Sequence, residues 1–270
     1  MTRRWLYFGF LGLAFYLVFL IATAPAAWVS WATVRASRGI VSIDRPAGTV
    51  WRGRGDLVIH IVSSPPQSLG TAHWAINPLW LVAGQLRAHA AVHGPGTEVR
   101  ADLGLGYRRV VLSDVAASFP AQIVGVLYSP AALAGPAGQV HVSAKRFTLG
   151  SRTVSGSAMV QWRQAASSLS SVRPLGDYRL YLDGHGSSAA LRLQTVSGSL
   201  TLNGSGSWDP GSGRVQFSGM AKPTDHASEL EPLLRLVGPN RGNGMRTLNL
   251  QLNAISLVKD SARSEVTRAA

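Results

Sequence analysis

His89 and His93 stand four residues apart, the spacing at which one helix face offers two imidazoles to a single metal ion. The run around them alternates instead: Leu86, Ala88, Ala90 and Val92 recur every second residue. On a strand, four residues span roughly 13 Å, so both rings cannot reach one ion. No Glu follows His89, as a metalloprotease helix would require. Glu229 and Glu231 flank one turn of a helical stretch, a place where carboxylates ordinarily serve the helix dipole. There is no G-x-S-x-G elbow and no glycine loop ending in Gly-Lys-Ser/Thr. With no cysteine at all, disulfides, thiolate nucleophiles and Cys-based zinc sites are excluded. Trp51, Trp74, Trp80, Trp162 and Trp208 could line a sugar or lipid groove, but packing within a lightly charged sheet accounts for them as well. The expectation is a chain with no catalytic, metal or cofactor site, and not an enzyme.

The elements carrying these residues are mostly strands. Leu248, Leu250 and Leu252 alternate with Asn249, Gln251 and Asn253; Tyr178, Leu180 and Leu182 alternate with Arg179, Tyr181 and Asp183; Val99, Ala101 and Leu103 form another such run. Period two with one apolar face predicts half-buried antiparallel sheet. Gly94-Pro95-Gly96, Gly184-His185-Gly186 and Asp209–Gly213 punctuate the runs, the last as a hairpin turn.

Four short helices are expected. Asn77-Pro78 starts one, with a cap and a proline at the first helical position, and Gly84 ends it. Ser129-Pro130 starts another, and a third lies within Ser113–Val126, broken by Pro120. Ser228–Val237 is the clearest, with Ser228 and Glu231 as a capping box, Gly238-Pro239 as the stop, and Leu230, Leu233 and Leu234 on one face. Gly150–Ala158 and Gly198–Gly206 are similar to each other, and each heads a strand that ends near a tryptophan, as a strand-turn-strand unit used twice would.

The chain has 270 residues, 46% hydrophobic and only 14% charged. A packed core is expected, with Ser, Thr, Asn, Gln and Gly supplying the polarity that charge usually supplies. The net charge of +13 comes almost wholly from arginine, since Lys145, Lys222 and Lys259 are the only lysines. The arginines occur singly along strands (Arg87, Arg100, Arg179, Arg192, Arg214), as solvated outward positions would. A nucleic-acid surface would cluster them with aromatics, so no nucleic-acid partner is expected. Attraction to anionic lipid head groups is the more natural consequence.

Trp5–Ala24 reads WLYFGFLGLAFYLVFLIATA without a charge, and about 20 such residues cross a hydrocarbon core. Arg3 and Arg4 precede it, which puts the N-terminus in the cytoplasm, although Arg35 and Arg38 weaken the contrast. Trp5 and Tyr7 mark one interface, Trp28 and Trp31 the other. Ala24-Pro25-Ala26 has the form of a signal-peptide cleavage site, but the apolar stretch exceeds the roughly 7–15-residue signal core. A retained anchor is expected, with the rest of the chain outside the cytoplasm. The expected organisation is a cytoplasmic stub and anchor over 1–27, a β-rich domain over 28–258, and a flexible tail over 259–270.

Gly48-Thr49-Val50-Trp51-Arg52-Gly53 is followed by Trp74-Ala75-Ile76-Asn77-Pro78-Leu79-Trp80-Leu81-Val82-Ala83-Gly84-Gln85-Leu86. The pair resembles the signatures of the type II (general) secretion pathway protein N family, a G-T-x-W-x-G turn and then W-x-x-x-P-x-x-L-x-x-G-x-L. The N-terminal span, the glycine-led late strands and Leu230–Leu236 before Gly238 resemble it too, while Asn240–Asn243 departs from it. The motif residues Gly48, Thr49, Trp51, Gly53, Trp74, Pro78, Leu81 and Gly84 read as structural.

The resemblance implies a mainly β protein of the Gram-negative cell inner membrane: one transmembrane helix, then a largely antiparallel, curved periplasmic sheet with a few short helices. It implies an accessory of the secretion apparatus, in contact with inner-membrane platform or secretin proteins, without cofactor. The alternative is a lipid- or hydrophobe-handling module of the AsmA-like kind, and glycan binding through the tryptophans is a weaker third reading.

Overall fold

Nearest-neighbour hairpins build almost everything here, because each alternating run is followed by a short glycine- or proline-containing turn and pairs with the next. A computed structural model describes Phe8, 11–13, 15–16, 19–61, 64–127, 134–239 and 244–253. The strands fall into two compact units, Met1–Pro95 and Gly96–Ala270.

The first unit holds helix α1 (Ala27–Ala36), strands β1 (Val41–Gly48), β2 (Arg52–Ile61) and β3 (Ser64–Asn77), a 3₁₀ helix (Pro78–Ala83) and β4 (Leu86–Gly94). Each strand runs antiparallel to the next: Val41 faces Ile59 and Gly48 faces Gly53, Arg52 faces Ala75, and Asn77 faces Arg87. Helix α1 covers the outer edge of β1. Ser30 Oγ donates to the Ile43 carbonyl at 2.6 Å, and Ser37 Oγ bonds both the N–H and the carbonyl of Val41. An edge strand left bare would template pairing with another chain. The expected helix at Asn77-Pro78 is present as the 3₁₀ turn: Asn77 Oδ1 accepts from the Leu79 N–H, and Gly84 closes it at φ +65°.

The second unit holds β5 (Thr97–Gly106), β6 (Arg109–Pro120), α2 (Gln122–Leu127), β7 (Pro136–Gly150), β8 (Val154–Ser167), β9 (Gly176–Gly186), β10 (Ser188–Ser197), β11 (Leu200–Asp209), β12 (Arg214–Pro223), α3 (Ala227–Val237) and β13 (Arg246–Asn253). It too is an antiparallel meander, each strand pairing with the next from β5 to β13. The Asp209–Gly213 turn is the β11–β12 hairpin, where Asp209 accepts from Gly211 N–H and from the Ser212 hydroxyl. Those bonds, the Ser212 one first, hold the Asp209 carboxyl below its usual range. The two similar segments both turn into strands, β8 and β11. Gly156 and Gly204 each face a glycine on the following strand, Gly184 and Gly219.

Three expectations need correction. Ser113–Val126 is not a helix broken at Pro120: Ser113 to Pro120 complete β6, paired to β7 as far as Pro120 opposite Gln139, and helix begins only at Gln122. The β-branched Val110, Val111 and Val115 favour the pleated surface, and Pro120 ends the strand rather than a helix. The capping box at Ser228 does not form. Helix α3 starts a residue earlier behind His226, in the left-handed region at φ 51°, with no side-chain cap. Glu231 is drawn away from that role by two arginines. Arg179 is not a solvated outward cation but half-buried, its Nε without a hydrogen-bond partner. The Ser129-Pro130 helix, the Asn240–Asn243 segment and the 259–270 tail lie outside the described residues.

The second unit's main apolar cluster sits under α3. Leu230, Leu233 and Leu234 pack with Val172, Leu175, Leu200 and Ala221, so the expected leucine face does cover the sheet. Beside this cluster Tyr178, buried in the sheet, donates its hydroxyl to the Leu200 carbonyl at 2.8 Å. Burial, with the nearby Asp177 charge, pushes its pKa up. A second cluster joins Phe147, Val154 and Ala189, with Trp208 against them. Arg246 of β13, buried in its place, donates to Glu231 Oε1 at 2.7 Å, and Arg235 donates to the same oxygen at 3.3 Å. The Arg246 bond first, then Arg235, lowers the Glu231 pKa.

Leu230 is fully buried, so Leu230→Ala should cost about 2–5 kcal/mol. Met220, 60% exposed, should tolerate Met220→Ala within about 0.5 kcal/mol. Urea denaturation of the two variants checks the contrast. For Glu231 the folded pKa lies below the unfolded one. The ionised pair therefore contributes stability above the ordinary carboxyl value, about 4.3, and loses it as pH falls through the folded pKa. Glu231→Gln should lower stability at neutral pH and flatten the acid limb of the stability–pH curve, measured by denaturation at stepped pH.

Candidate functional site

The motif residues come together at one end of the first unit, around the turn between β1 and β2. Gly48 faces Gly53 across that turn, and the Thr49 N–H donates to the Arg52 carbonyl at 2.8 Å. Thr49 Oγ1 accepts from the Arg52 N–H at 3.2 Å, closing the loop a second time. Gly48 has φ +96°, and a Cβ there would stand 2.5 Å from the Arg52 carbonyl oxygen. A Cβ on Gly53 would clash with the indole of Trp74, the residue opposite it on β3. One glycine is needed for the turn and the other for the close approach of an indole.

The turn is also where the chain from the N-terminal apolar segment is held. Pro25 bridges to Thr49, the Ala26 N–H donates to the Gly48 carbonyl at 3.1 Å, and the Val50 N–H donates to the Ala24 carbonyl at 2.9 Å. Trp51 Nε1 donates to the Ile21 carbonyl at 2.7 Å, while the Trp51 carbonyl accepts from the Ile76 N–H at 2.6 Å. Trp74 Nε1 donates to the Val50 carbonyl at 3.1 Å. The two motif tryptophans thus tie three backbone segments, 21–26, 48–53 and 74–76, into one knot. Pro78, Leu81 and Gly84 follow as the start, middle and cap of the 3₁₀ helix. Trp80 lies half-buried beneath the Arg87 guanidinium, 3.5 Å from its ring centre, a cation–π contact.

His93 makes an edge contact with His73, ring centres 6.3 Å apart, rather than with His89. Among the described residues no group of three His, Cys, Asp or Glu is placed to hold a metal ion. Glu229 accepts from Ser171 and His226, which hold its carboxyl below the usual range. It ties α3 to the loop before β9. An open depression of about 670 Å³ lies on the second unit's sheet, with Met159, Ala144, Lys145 and Asp183 in its lining. Trp162 stands outside it, its Nε1 donating to the Ala137 carbonyl at 2.9 Å.

A family model described as type II secretion system (T2SS), protein N, matches residues 40–249. The chain belongs to that family. The match takes in the Gly48–Gly53 turn, the Trp74–Leu86 segment and helix α3, all of which carried the resemblance in the sequence. Membership makes the chain an accessory component of the type II secretion apparatus, with partners inside that apparatus. No curated protein and no solved structure matches the chain. In this chain the motif residues fasten backbone to backbone: glycines where backbones touch, tryptophans where an indole N–H finds a carbonyl. What sequence reasoning missed is the third segment in the knot, Ile21–Ala26. Only the proline at 25, where the apolar run meets the rest of the chain, hints at it.

Gly53→Ala should destabilise the chain by about 1–3 kcal/mol through overpacking against Trp74, seen as a lowered denaturation midpoint. Trp51→Phe keeps the ring but removes the bond to Ile21, at a cost of about 1 kcal/mol. It should also open residues 21–27 to limited proteolysis several-fold faster, read by mass spectrometry of the first cut.

Proposed function

We propose that the chain is a non-enzymatic accessory of type II secretion, anchored in the cell inner membrane by one helix over Trp5–Ala24, with its β units in the periplasm against platform or secretin proteins. The Trp5–Ala24 span lies partly outside the described residues. Those described up to Ala22 are helical, and their large apolar side chains (Phe8, Leu11, Leu13, Phe15, Phe19, Ile21) are exposed. No helix formed by the described residues is long and apolar enough to cross a membrane. The support for the anchor is the uncharged run itself, the arginines before it, and exposed aromatic residues after it.

The observation that carries the reading is the fastening at Trp51. A membrane helix joined to a sheet by a free tether leaves the sheet's orientation open. Here the end of the apolar run is bonded to the same turn that the family signature specifies. A sheet fixed in this way presents the same strands and turns to neighbouring inner-membrane components each time, which suits a fitted part of a large assembly.

The test is a mild-detergent pull-down of the tagged full-length chain from its native membrane, with mass spectrometry of what co-purifies. Platform or secretin components should be recovered, and their yield should fall with Trp51→Ala. Recovery of lipid with no secretion component above background would overturn the reading.

A further inference from the structure

In the 3₁₀ helix Pro78–Ala83, Leu79 and Leu81 reach the surface. Leu79 is 77% exposed and Leu81 44% exposed, with Trp80 half-buried between them. Six consecutive residues without a charge, Pro-Leu-Trp-Leu-Val-Ala, form a connection between two strands, where polar residues are the rule. Sequence reading assigns Leu81 to the motif and gives it a structural role, and the structure leaves it part-exposed at the surface. Exposed leucines at a turn, Leu79 above all, mark a surface that something else covers.

The register of the first unit says what lies beside it. Gly48 of β1, Arg52 of β2, Asn77 of β3 and Leu86 of β4 all stand at one end, because Gly48 faces Gly53, Arg52 faces Ala75 and Asn77 faces Arg87. The opposite end holds Ile40 and Val41, some eight residues back along β1, or roughly 25 Å. The end that carries Leu79 and Leu81 is therefore the end to which Ile21, Ala24 and Ala26 are bonded. The Trp51 carbonyl accepts from Ile76, two residues before Pro78, while its indole donates to Ile21. Trp28, exposed in the first turn of α1, leaves the same junction.

We propose that the Pro78–Ala83 turn is a second membrane contact, in which Leu79 and Leu81 enter the outer part of the bilayer beside the point where the N-terminal helix leaves it. The occupant is lipid. Continuity with the apolar run is the argument, since a side chain beside the exit of that run must meet the bilayer surface. The chemistry agrees. Tryptophan suits the boundary between hydrocarbon and head groups, and Arg87 stacked on Trp80, together with exposed Arg52, puts positive charge at head-group level beside the leucines. Two contacts, the helix and the turn, would fix the tilt of the first unit, which one helix leaves free. This inference rests on the anchored reading above, and the experiment separates the two.

The chain has no cysteine, so Leu79→Cys, Leu81→Cys, Leu13→Cys and Ile40→Cys each give one labelling site in the full-length protein. Spin labels at these sites, in vesicles of phosphatidylethanolamine and phosphatidylglycerol, are read by power saturation against oxygen and a water-soluble nickel complex. The labels at 79 and 81 should collide with the nickel complex several-fold less, and with oxygen more, than the label at 40. Labels at 79 and 81 as water-accessible as that at 40, with 13 still in lipid, would overturn the inference and leave the anchor standing. Water accessibility at 13 as well would overturn both. Shielding at 79 from both reagents, seen only in native membranes that contain the other secretion components, would assign the turn to a protein partner and overturn the lipid assignment.

Discussion

The first unit depends on how closely backbone can approach backbone at the Gly48–Gly53 turn. Hydrogen bonds there link three segments that are distant in sequence, and each requires the turn to be as tight as two glycines allow. Widening it by one methyl displaces Trp74 from Gly53. That frees the Val50 carbonyl that Trp74 satisfies and loosens the Ile76 strand end that Trp51 holds. Cooperation of this kind explains why the signature mixes glycine and tryptophan and contains no carboxylate, histidine or cysteine. Small residues create the approach, and indoles both fill the space and pair the polar groups the approach buries.

The second unit solves a related problem with different means. Its strands are rich in Ser, Thr and Gly, so one sheet face offers little apolar area, and the core gathers where larger residues meet, under α3 and around Phe147. Polar groups near these clusters are tied to backbone rather than to one another. The Tyr178 hydroxyl bonds the Leu200 carbonyl, Thr195 Oγ1 bonds both the carbonyl and the N–H of Leu202, and Ser167 bonds the Ala134 carbonyl. Low charge is then no handicap, since hydroxyls short enough to reach the main chain satisfy it at small entropic cost. The main exception is Arg246, whose buried guanidinium reaches Glu231 on α3 and so fastens the last described strand to the helix that precedes it.

Strands and hairpins were legible in the sequence because period-two alternation and glycine or proline turns are local signals. The leucine face of α3 was legible for the same reason. The errors came where a local signal met a tertiary demand. Ser113–Phe119 has enough alanine to read as helix, but β7 offers a pairing partner along its whole length. Ser228 and Glu231 have capping-box spacing, but Arg246, fifteen residues away and on another element, claims the carboxylate. The motif residues could be singled out and assigned a structural role, yet their joint purpose could not. Ile21–Ala26 enters the knot through main-chain carbonyls and N–H groups, which leave no trace in side-chain identity.

A meander restricts what kind of site a chain can build. Each strand neighbours only the one before and the one after, so residues distant in sequence meet only where a turn, a helix or a terminal segment folds across the sheet end. The described residues do this at two places, the Trp51 knot and the α3 cap. The first is indole and main chain; the second is leucines, the pairs that Arg246 and Arg235 make with Glu231, and Glu229 bonded to Ser171 and His226. What such a chain offers its surroundings is therefore its ends, faces and edges. Where the edge of β1 is covered by α1 and the sheet end is fastened to an apolar segment, the remaining surfaces of the first unit are held at fixed positions relative to that segment. Rigid placement of a surface is a property that membership of a multi-component apparatus can use, and it follows here from two glycines and two tryptophans.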